Sequence, residues 1–315
     1  MTGDFAHREG EIWLDGGFVR WQDATLHVLT HALHYASSVF EGIRVYGSKI
    51  FRLTEHTERL VASAAELGCV LPFTVPELDR AASELAARNG MVDGYLRPVA
   101  WRGSETMGIG APGTSAHVAI AAWEWPEVFE PGAKLDGISL HVSRWRRPPP
   151  ECAPVRAKGA GQYAIGTLAR NEAEAAGAQD ALLLDHRGHL TEATGANLFL
   201  VVDGELHTPV PDCFLDGITR RVVIGLARSH GIRVVERHIP VGELESASEV
   251  FLTGTAYEVQ PVRSIGGLTH APASRPDGLA RTPAFRPGQV TRTLAFRPGE
   301  VTRTLADAYA KLVRS

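Results

Sequence analysis

The chain has 315 residues, and 32 Lys+Arg against 36 Asp+Glu give it a formal charge of −4. Its 44% hydrophobic and 22% charged residues are an ordinary globular composition, which excludes a disordered or collagen-like chain and a nucleic-acid module driven by bulk positive charge. No apolar run approaches the roughly 18 residues of a membrane span, and the start MTGDFAHREGE is too polar for a signal peptide, so a soluble, cytoplasmic protein without nucleic-acid or membrane partners is expected.

EIWLDGGFVRW places two β-type runs around Asp15-Gly16-Gly17, residues that tolerate the positive φ of a tight turn, so the first element is a hairpin. A second hairpin is expected over residues 40–53, with Gly47 between FEGIRVYG and KIFRL. Leu60, Ala64 and Leu67 then recur at helical spacing before Gly68, with Thr54 as N-cap, and PELDRAASELAARNG repeats the helical pattern to Gly90. GYLRPVAWRG and HVAIAAWEW read as strands and complete a small α+β domain over residues 1–124.

WPEVFEPGA, residues 125–133, is the expected interdomain loop. From 134 to 315 the strands ISLHVSRW, DALLLD, NLFLVVDG and SEVFLTGT are mixed with the helices IGTLARNEAEAAG and ITRRVVIGLARSHG, each helix closing on a glycine. The order lacks the regular beat of a doubly wound sheet, so this larger domain is also α+β. AFRPGQVTRTL at 284–294 is followed at once by AFRPGEVTRTL at 295–305; only the second copy can run on into the helix VTRTLADAYAKLV, and the first reads as a surface insertion. Cys69, Cys152 and Cys213 are far apart without C-x-x-C spacing and read as buried small hydrophobes, with no metal site expected.

The chemistry centres on RRPPPECAPVRAKGAGQYAIG, where Lys158 stands on no amphipathic face between a proline-rich stretch and a glycine turn. It is either a solvated loop lysine or an amine held against a carbonyl cofactor, since lysine forms Schiff bases once desolvation or a nearby cation makes it neutral. Gly159-x-Gly161-x-x-Ala164 formally matches a dinucleotide fingerprint and suggests a nicotinamide oxidoreductase, but prolines and an arginine precede it where a strand is required. Downstream, Glu192 in LTEATGANLF is either an exposed turn carboxylate or an anion paired with a pyridinium nitrogen. Gly217-Ile218-Thr219 opens a helix whose free N–H groups make a phosphate seat, and Thr255 in FLTGTAYE offers a hydroxyl for the same purpose.

In this order the segments IWLDGGFVRWQDATLHVLTHALHYASSVFEGIR, HTERL, GYLRPV, MGIGAP, RAKGAGQY, LTEATGANLF, LDGITR and FLTGTAYEVQPVRSI resemble the branched-chain amino acid aminotransferases, enzymes of the two-domain fold-type IV, D-amino acid aminotransferase-like architecture that use pyridoxal 5'-phosphate. The resemblance covers the chain apart from about residues 268–298. It implies a transaminase moving the amino group between branched-chain L-amino acids and 2-oxoglutarate, built as a homodimer or higher homo-oligomer. Transaminases for D-amino acids or (R)-amines and aminodeoxychorismate lyases are alternatives on the same fold.

By the same resemblance Lys158 would join the cofactor covalently and carry protons, Tyr163 would bond the cofactor's O3′, and Glu192 would pair with its ring nitrogen. Arg59, Thr255 and the turn Gly217, Ile218, Thr219 would hold its phosphate. Tyr95 and the backbone at Thr255 and Ala256 would receive the substrate α-carboxylate, and Arg97 the distal carboxylate of glutamate; on a strand, Tyr95 and Arg97 share a face. Tyr35, Phe40, Arg44, Ile109 and Trp125 match positions around the side-chain pocket. The chain departs from the family pattern at Ala36 and Thr194, where glycine is common, at Pro126, and at Tyr257, where the residue is usually small.

Overall fold

The computed structural model describes residues 4–125, 129, 132–268 and 292–315, which form two compact units. The first comprises Met1–Val128, Pro154–Ala164 and Lys311–Ser315. The expected opening hairpin is β1 (Glu11–Leu14) and β2 (Gly17–Arg20), turning at Asp15 and Gly16, both with positive φ. Next come the short helix α1 (His31–Tyr35), strands β3 (Ser38–Phe40), β4 (Ile43–Tyr46) and β5 (Lys49–Ile50), helices α2 (Leu53–Glu66) and α3 (Val75–Arg88), and the long strands β6 (Gly94–Arg102) and β7 (Ala116–Glu124). The sheet runs β2-β1-β7-β6-β4-β5, with β3 also on β6, and every pairing is antiparallel. Leu60 and Ala64 of α2 and Leu78, Ala82 and Leu85 of α3 pack on Ile43, Leu96, Val118 and Ile120, leaving the opposite face of the sheet to other residues.

Thr54 is not the N-cap of α2: Arg52 occupies that position with left-handed backbone, and the Thr54 hydroxyl donates to Asp79 Oδ2 at 2.6 Å. The cap expected from a threonine goes instead to α3, where Thr74 and Glu77 form a reciprocal capping box. Ala36, at the C-terminal end of α1, has φ 53°, a conformation that explains a glycine preference at this position.

The second unit comprises Phe129–Ala153 and Ile165–Ala310. It starts with the one-turn helix α4 (Ala133–Asp136) and strand β8 (Ile138–Arg147), followed by α5 (Tyr163–Ala175), β9 (Asp180–Asp185), β10 (Leu190–Ala193), β11 (Asn197–Val202) and β12 (Glu205–Pro209). Then come α6 (Ile218–Ser229), β13 (Val234–Arg237), β14 (Glu249–Gly254), β15 (Glu258–Leu268), β16 (Arg292–Ala295) and α7 (Glu300–Leu312). The nine strands run β10-β9-β8-β15-β14-β11-β12-β13, with β16 also on β15 and a further β10–β11 pairing. Parallel pairs (β8–β9, β8–β15, β12–β13) stand among antiparallel ones, so the expected mixed α+β sheet is present.

The second repeat copy enters α7 as expected, and Glu249 of β14 explains why: its carboxylate accepts from the backbone N–H of Val301 and Thr302 and from the Thr302 hydroxyl. The end of the first copy is not loop but strand, since Arg292, Thr293 and Leu294 lie in β16 against β15; residues 284–291 lie outside the described residues. Part of the expected interdomain loop, including Pro126, lies outside them too. Cys69 and Cys213 are buried, but Cys152 is exposed, because it follows the prolines 148–150 where the chain leaves β8. No helix among the described residues is long and apolar enough to cross a membrane.

Candidate active site

In the first unit the 154–164 segment is fastened by its backbone. Lys158 N–H donates to Ser63 Oγ of α2 at 3.0 Å, its carbonyl accepts from Phe40 N–H at 3.1 Å, and Gly159 bridges Val39. Four residues that the sequence singled out therefore converge. Lys158 Nζ is 2.8 Å from Tyr163 Oη and 5.1 Å from the centre of the Phe40 ring. The Phe40 ring also lies 4.7 Å from that of Tyr163 and 4.8 Å from the Arg97 guanidinium. A half-buried amine with an aromatic wall and a phenol partner is not the solvated loop lysine of the alternative reading.

Arg97 and Tyr95 do share a face of β6, as their spacing requires, with Nη2 of Arg97 3.4 Å from Tyr95 Oη. Arg97 Nε is buried and has no partner among the described residues, so the guanidinium retains capacity for an anion. Tyr95 stacks on Trp125 at 4.3 Å, and Arg44 lies 5.6 Å from the Trp125 ring. The phenol occupies the space where a Cβ at Gly42 would fall, so this glycine is what lets Tyr95 reach its position. Tyr35 and Ile109 are placed elsewhere on the unit, 42% and 85% exposed; His31 joins their two segments by packing on Tyr35 and bonding to Gly108.

Arg59 is bound within the protein in a way that the sequence did not reveal. Glu41, fully buried, takes its Nε at 2.6 Å and its Nη2 at 2.9 Å and also bonds His56 Nδ1 at 2.7 Å. Burial alone pushes the Glu41 carboxyl up, but Arg59 and His56 outweigh it and hold the group far below the usual carboxylate range. Burial pushes the His56 imidazolium down, against the pull of Glu41, with Arg59 and Lys158 adding to the effect. The available signal was a carboxylate between Phe40 and Gly42 in an otherwise strand-like run.

In the second unit Glu192 is not a turn residue but lies on β10, 7% exposed, with Oε1 2.8 Å from Arg147 Nη2 and Asn197 Nδ2 3.4 Å from Oε2. Arg147 lies in the RRPPP run, and nothing in the sequence singled it out. Asn197 Nδ2 also donates to Leu215 O at 2.9 Å, and its Oδ1 occupies the space a Cβ of Gly217 would need. This draws the start of α6 to the strand end that carries Glu192. Gly217 is the N-cap of α6 and supplies no side-chain cap, while Ile218 and Thr219 are 2% and 4% exposed. Buried Arg220 anchors the same turn, donating to Asp216, Pro209 O and Glu236. Thr255 and Ala256 form the turn between β14 and β15.

The profile of the family described as Amino-transferase class IV matches residues 38–265. The chain is a class IV aminotransferase. A "Probable branched-chain-amino-acid aminotransferase" of Rickettsia bellii is 45% identical over 265 residues, 84% of this chain and 90% of the relative. The structure of the T.th. "Branched-Chain Amino Acid Aminotransferase with Pyridoxamine 5'-phosphate" superposes with a TM-score of 0.84 at 40% identity, covering 98% of this chain and 96% of that one. The same protein "Complexed with 4-Methylvaleric Acid" gives 0.82 at 39%, with 98% and 96% covered. The α+β architecture of this class IV aminotransferase is thus that of the fold-type IV enzymes, and the dinucleotide fingerprint at Gly159 is a chance match with no strand directly before it.

The donor set of the aminotransferase suits a phosphorylated aldehyde cofactor. The first unit offers an amine beside a phenol at Lys158 and Tyr163; the second, taken by itself, offers a buried carboxylate at Glu192 and at α6 a buried helix start whose first amides have no side-chain cap.

Proposed function

We propose that the protein transfers the amino group between branched-chain L-amino acids and 2-oxoglutarate, with pyridoxal 5'-phosphate as its cofactor. The observation that carries this reading is the 2.8 Å contact between Lys158 Nζ and Tyr163 Oη beneath the Phe40 ring, in a chain whose relatives have branched-chain aminotransferase names. Bound there, the cofactor supplies an aldehyde that exchanges amines and a ring that accepts electrons from the substrate Cα. Lys158 Nζ takes the proton from Cα and returns it, and the Tyr163 hydroxyl keeps the amine aimed. Glu192, held by Arg147 and Asn197, provides the anion for the ring nitrogen. The α6 amides of Ile218 and Thr219, with Thr255 and Arg59, bind the phosphate.

Tyr95 and the amide at Ala256 receive the α-carboxylate. Phe40 and Trp125 form an apolar wall that suits a branched side chain, and Arg97 at its edge receives the distal carboxylate of 2-oxoglutarate, so one pocket serves both half-reactions. The exposed Leu33, Tyr35, Met107 and Ile109 fit a homodimer in which a second copy covers them, and light scattering tests that association. Cell fractionation tests a cytoplasmic location. The deciding experiment offers L-leucine, D-alanine and (R)-1-phenylethylamine as donors to 2-oxoglutarate, with Lys158→Ala as control. L-Leucine should lead, and the cofactor's visible absorbance should be lost in the variant. Preference for either other donor, or a band unchanged in Lys158→Ala, overturns the assignment.

A further inference from the structure

Two of the departures from the family pattern, Thr194 and Tyr257, are 63 positions apart in the sequence, yet both hydroxyls end on one carboxylate. Thr194 Oγ1 donates to Asp180 Oδ1 at 2.6 Å, and Tyr257 Oη donates to Asp180 Oδ2 at 2.7 Å. Asp180, at the start of β9, has no solvent exposure; it also accepts from Ala181 N–H at 2.7 Å and lies 3.4 Å from Arg170 Nη1. Thr194, Ala181 and Arg170 all meet Oδ1 of this carboxylate, and Tyr257 meets Oδ2. Its two long-range hydroxyl partners belong to different turns. Thr194 follows Glu192 in the β10–β11 turn, and Tyr257 follows Thr255 and Ala256 in the β14–β15 turn.

The two turns also pack directly. A Cβ on Gly254 would come 3.1 Å from Gly195 O and 3.4 Å from Ala196 Cβ, and one on Gly195 would touch the Tyr257 ring at 3.9 Å. Backbone this close has little lateral freedom, and Asp180 adds a polar tie beneath it. Burial and the neighbouring Asp180 push the Tyr257 phenol well above its ordinary range, so it remains a donor throughout the working pH range.

We propose that Asp180 is a positioning residue that fastens the Thr194 turn to the Tyr257 turn, and so sets where the backbone at Thr255 and Ala256 meets the substrate carboxylate. This rests on the reading that the Ala256 turn receives that carboxylate. Asp180 touches no substrate; it acts through Tyr257. Cutting either hydroxyl releases the same tie, so the two cuts are not independent.

The test uses the cofactor-loaded enzyme and 4-methylvaleric acid, which is L-leucine without its amine and cannot react. Calorimetry on wild type, Thr194→Val, Thr194→Ser, Tyr257→Phe and the Val/Phe double variant should show Kd raised about 3- to 10-fold by Val and by Phe, the order of one lost hydrogen bond. Thr194→Ser should restore wild-type affinity. The double variant should be no weaker than the weaker single variant. In Thr194→Val, amide hydrogen exchange should quicken across the fold at residues 255–258, while bound cofactor absorbance stays constant. Wild-type binding with unchanged affinity in the single variants, or a double variant whose loss is the product of the two, overturns the tie alone. Failure of the wild type to bind the acid overturns the carboxylate reading and the tie with it. Should Tyr257→Phe not fold, the Thr194 Val and Ser pair with the exchange measurement decides.

Discussion

Glu41 accepts the Nε and Nη2 hydrogens of Arg59 at 2.6 and 2.9 Å from a position without solvent exposure. Removing one partner of such a pair leaves a buried charge uncompensated and costs about 3–5 kcal/mol. Glu41→Ala should therefore unfold at markedly lower denaturant concentration, and Glu41→Gln, which keeps an acceptor for one of the two donors, should lose less. The pair also sets an acid limit. Because the folded carboxyl titrates far below its unfolded value, its contribution is complete above the ordinary carboxylate range and is lost progressively as pH falls from that range towards the folded value. His56 acts in the same direction: its folded pKa is below the unfolded one, so protonation below about pH 6.5 favours unfolding. Melting temperatures should begin to fall below about pH 6.5 in both proteins, and below about pH 4.5 they should fall more steeply for wild type than for Glu41→Gln.

Arg97→Met should separate the two half-reactions. Arg97 Nε has no partner among the described residues, and its Nη2 contact with Tyr95 is long at 3.4 Å, so the guanidinium is available to a ligand. A charge-assisted bond is worth about 1.5–3 kcal/mol, so KM for 2-oxoglutarate should rise roughly 10- to 100-fold. KM for L-leucine should move less than threefold, about 0.6 kcal/mol. Steady-state kinetics with each substrate varied in turn checks this, and equal losses for both would show that Arg97 does not discriminate.

Ala36→Gly should stabilise the protein. A left-handed backbone at a residue with a Cβ costs about 1–2 kcal/mol, and the freer unfolded chain returns about 0.4–1 kcal/mol of that. With φ 53° at Ala36, the net gain should be below about 1.5 kcal/mol, seen as a small rise in Tm.

The thiols should label in a fixed order. Cys152 is exposed; burial pushes the Cys69 thiol up, and burial with the Asp212 side chain pushes Cys213 up to about 12. One equivalent of an aromatic disulfide reagent should react in the native protein at pH 8, and Cys152→Ser should abolish it. Two fast equivalents would contradict the burial of Cys69 and Cys213.

Much of the fold was legible because periodicity and glycine stops are local signals: α3, α5 and α6 fall where their apolar spacing and closing glycines placed them. The N-cap of α2 was not, since Thr54 had a rival partner, Asp79, that only the packing of α2 on α3 brings near. At the candidate site, Lys158 stood out by its context, whereas Tyr163, Tyr95 and Arg97 were singled out only through the family resemblance. Glu41, Arg147 and Asp180 did not stand out, because a buried carboxylate or guanidinium looks like a surface charge until the strand that buries it is known. The first repeat copy shows the same limit in reverse. Arg-Thr-Leu at 292–294 is strand and the identical triplet at 303–305 is helix, so local sequence does not choose between them. Glu249, capping α7, does.

Deleting residues 284–294 should leave an active enzyme. The cut joins Pro283 to Ala295, so Arg-Thr-Pro-Ala stands where β16 now has Arg-Thr-Leu-Ala, and the approach AFRPGE to α7 is unchanged. Loss of half-buried Leu294 from its place opposite Ile265 should lower Tm by up to about 5 °C. Activity below a tenth of wild type would show that the extra copy is used.

Glu249 also governs how the two repeat copies differ in form. Because the carboxylate that receives the first amides of the terminal helix sits on β14, that helix is started from outside the repeat, at the second copy, while the end of the first stays in β16. The anchor of the terminal helix thus belongs to a strand, and identical words of sequence take opposite forms according to which of them meets it.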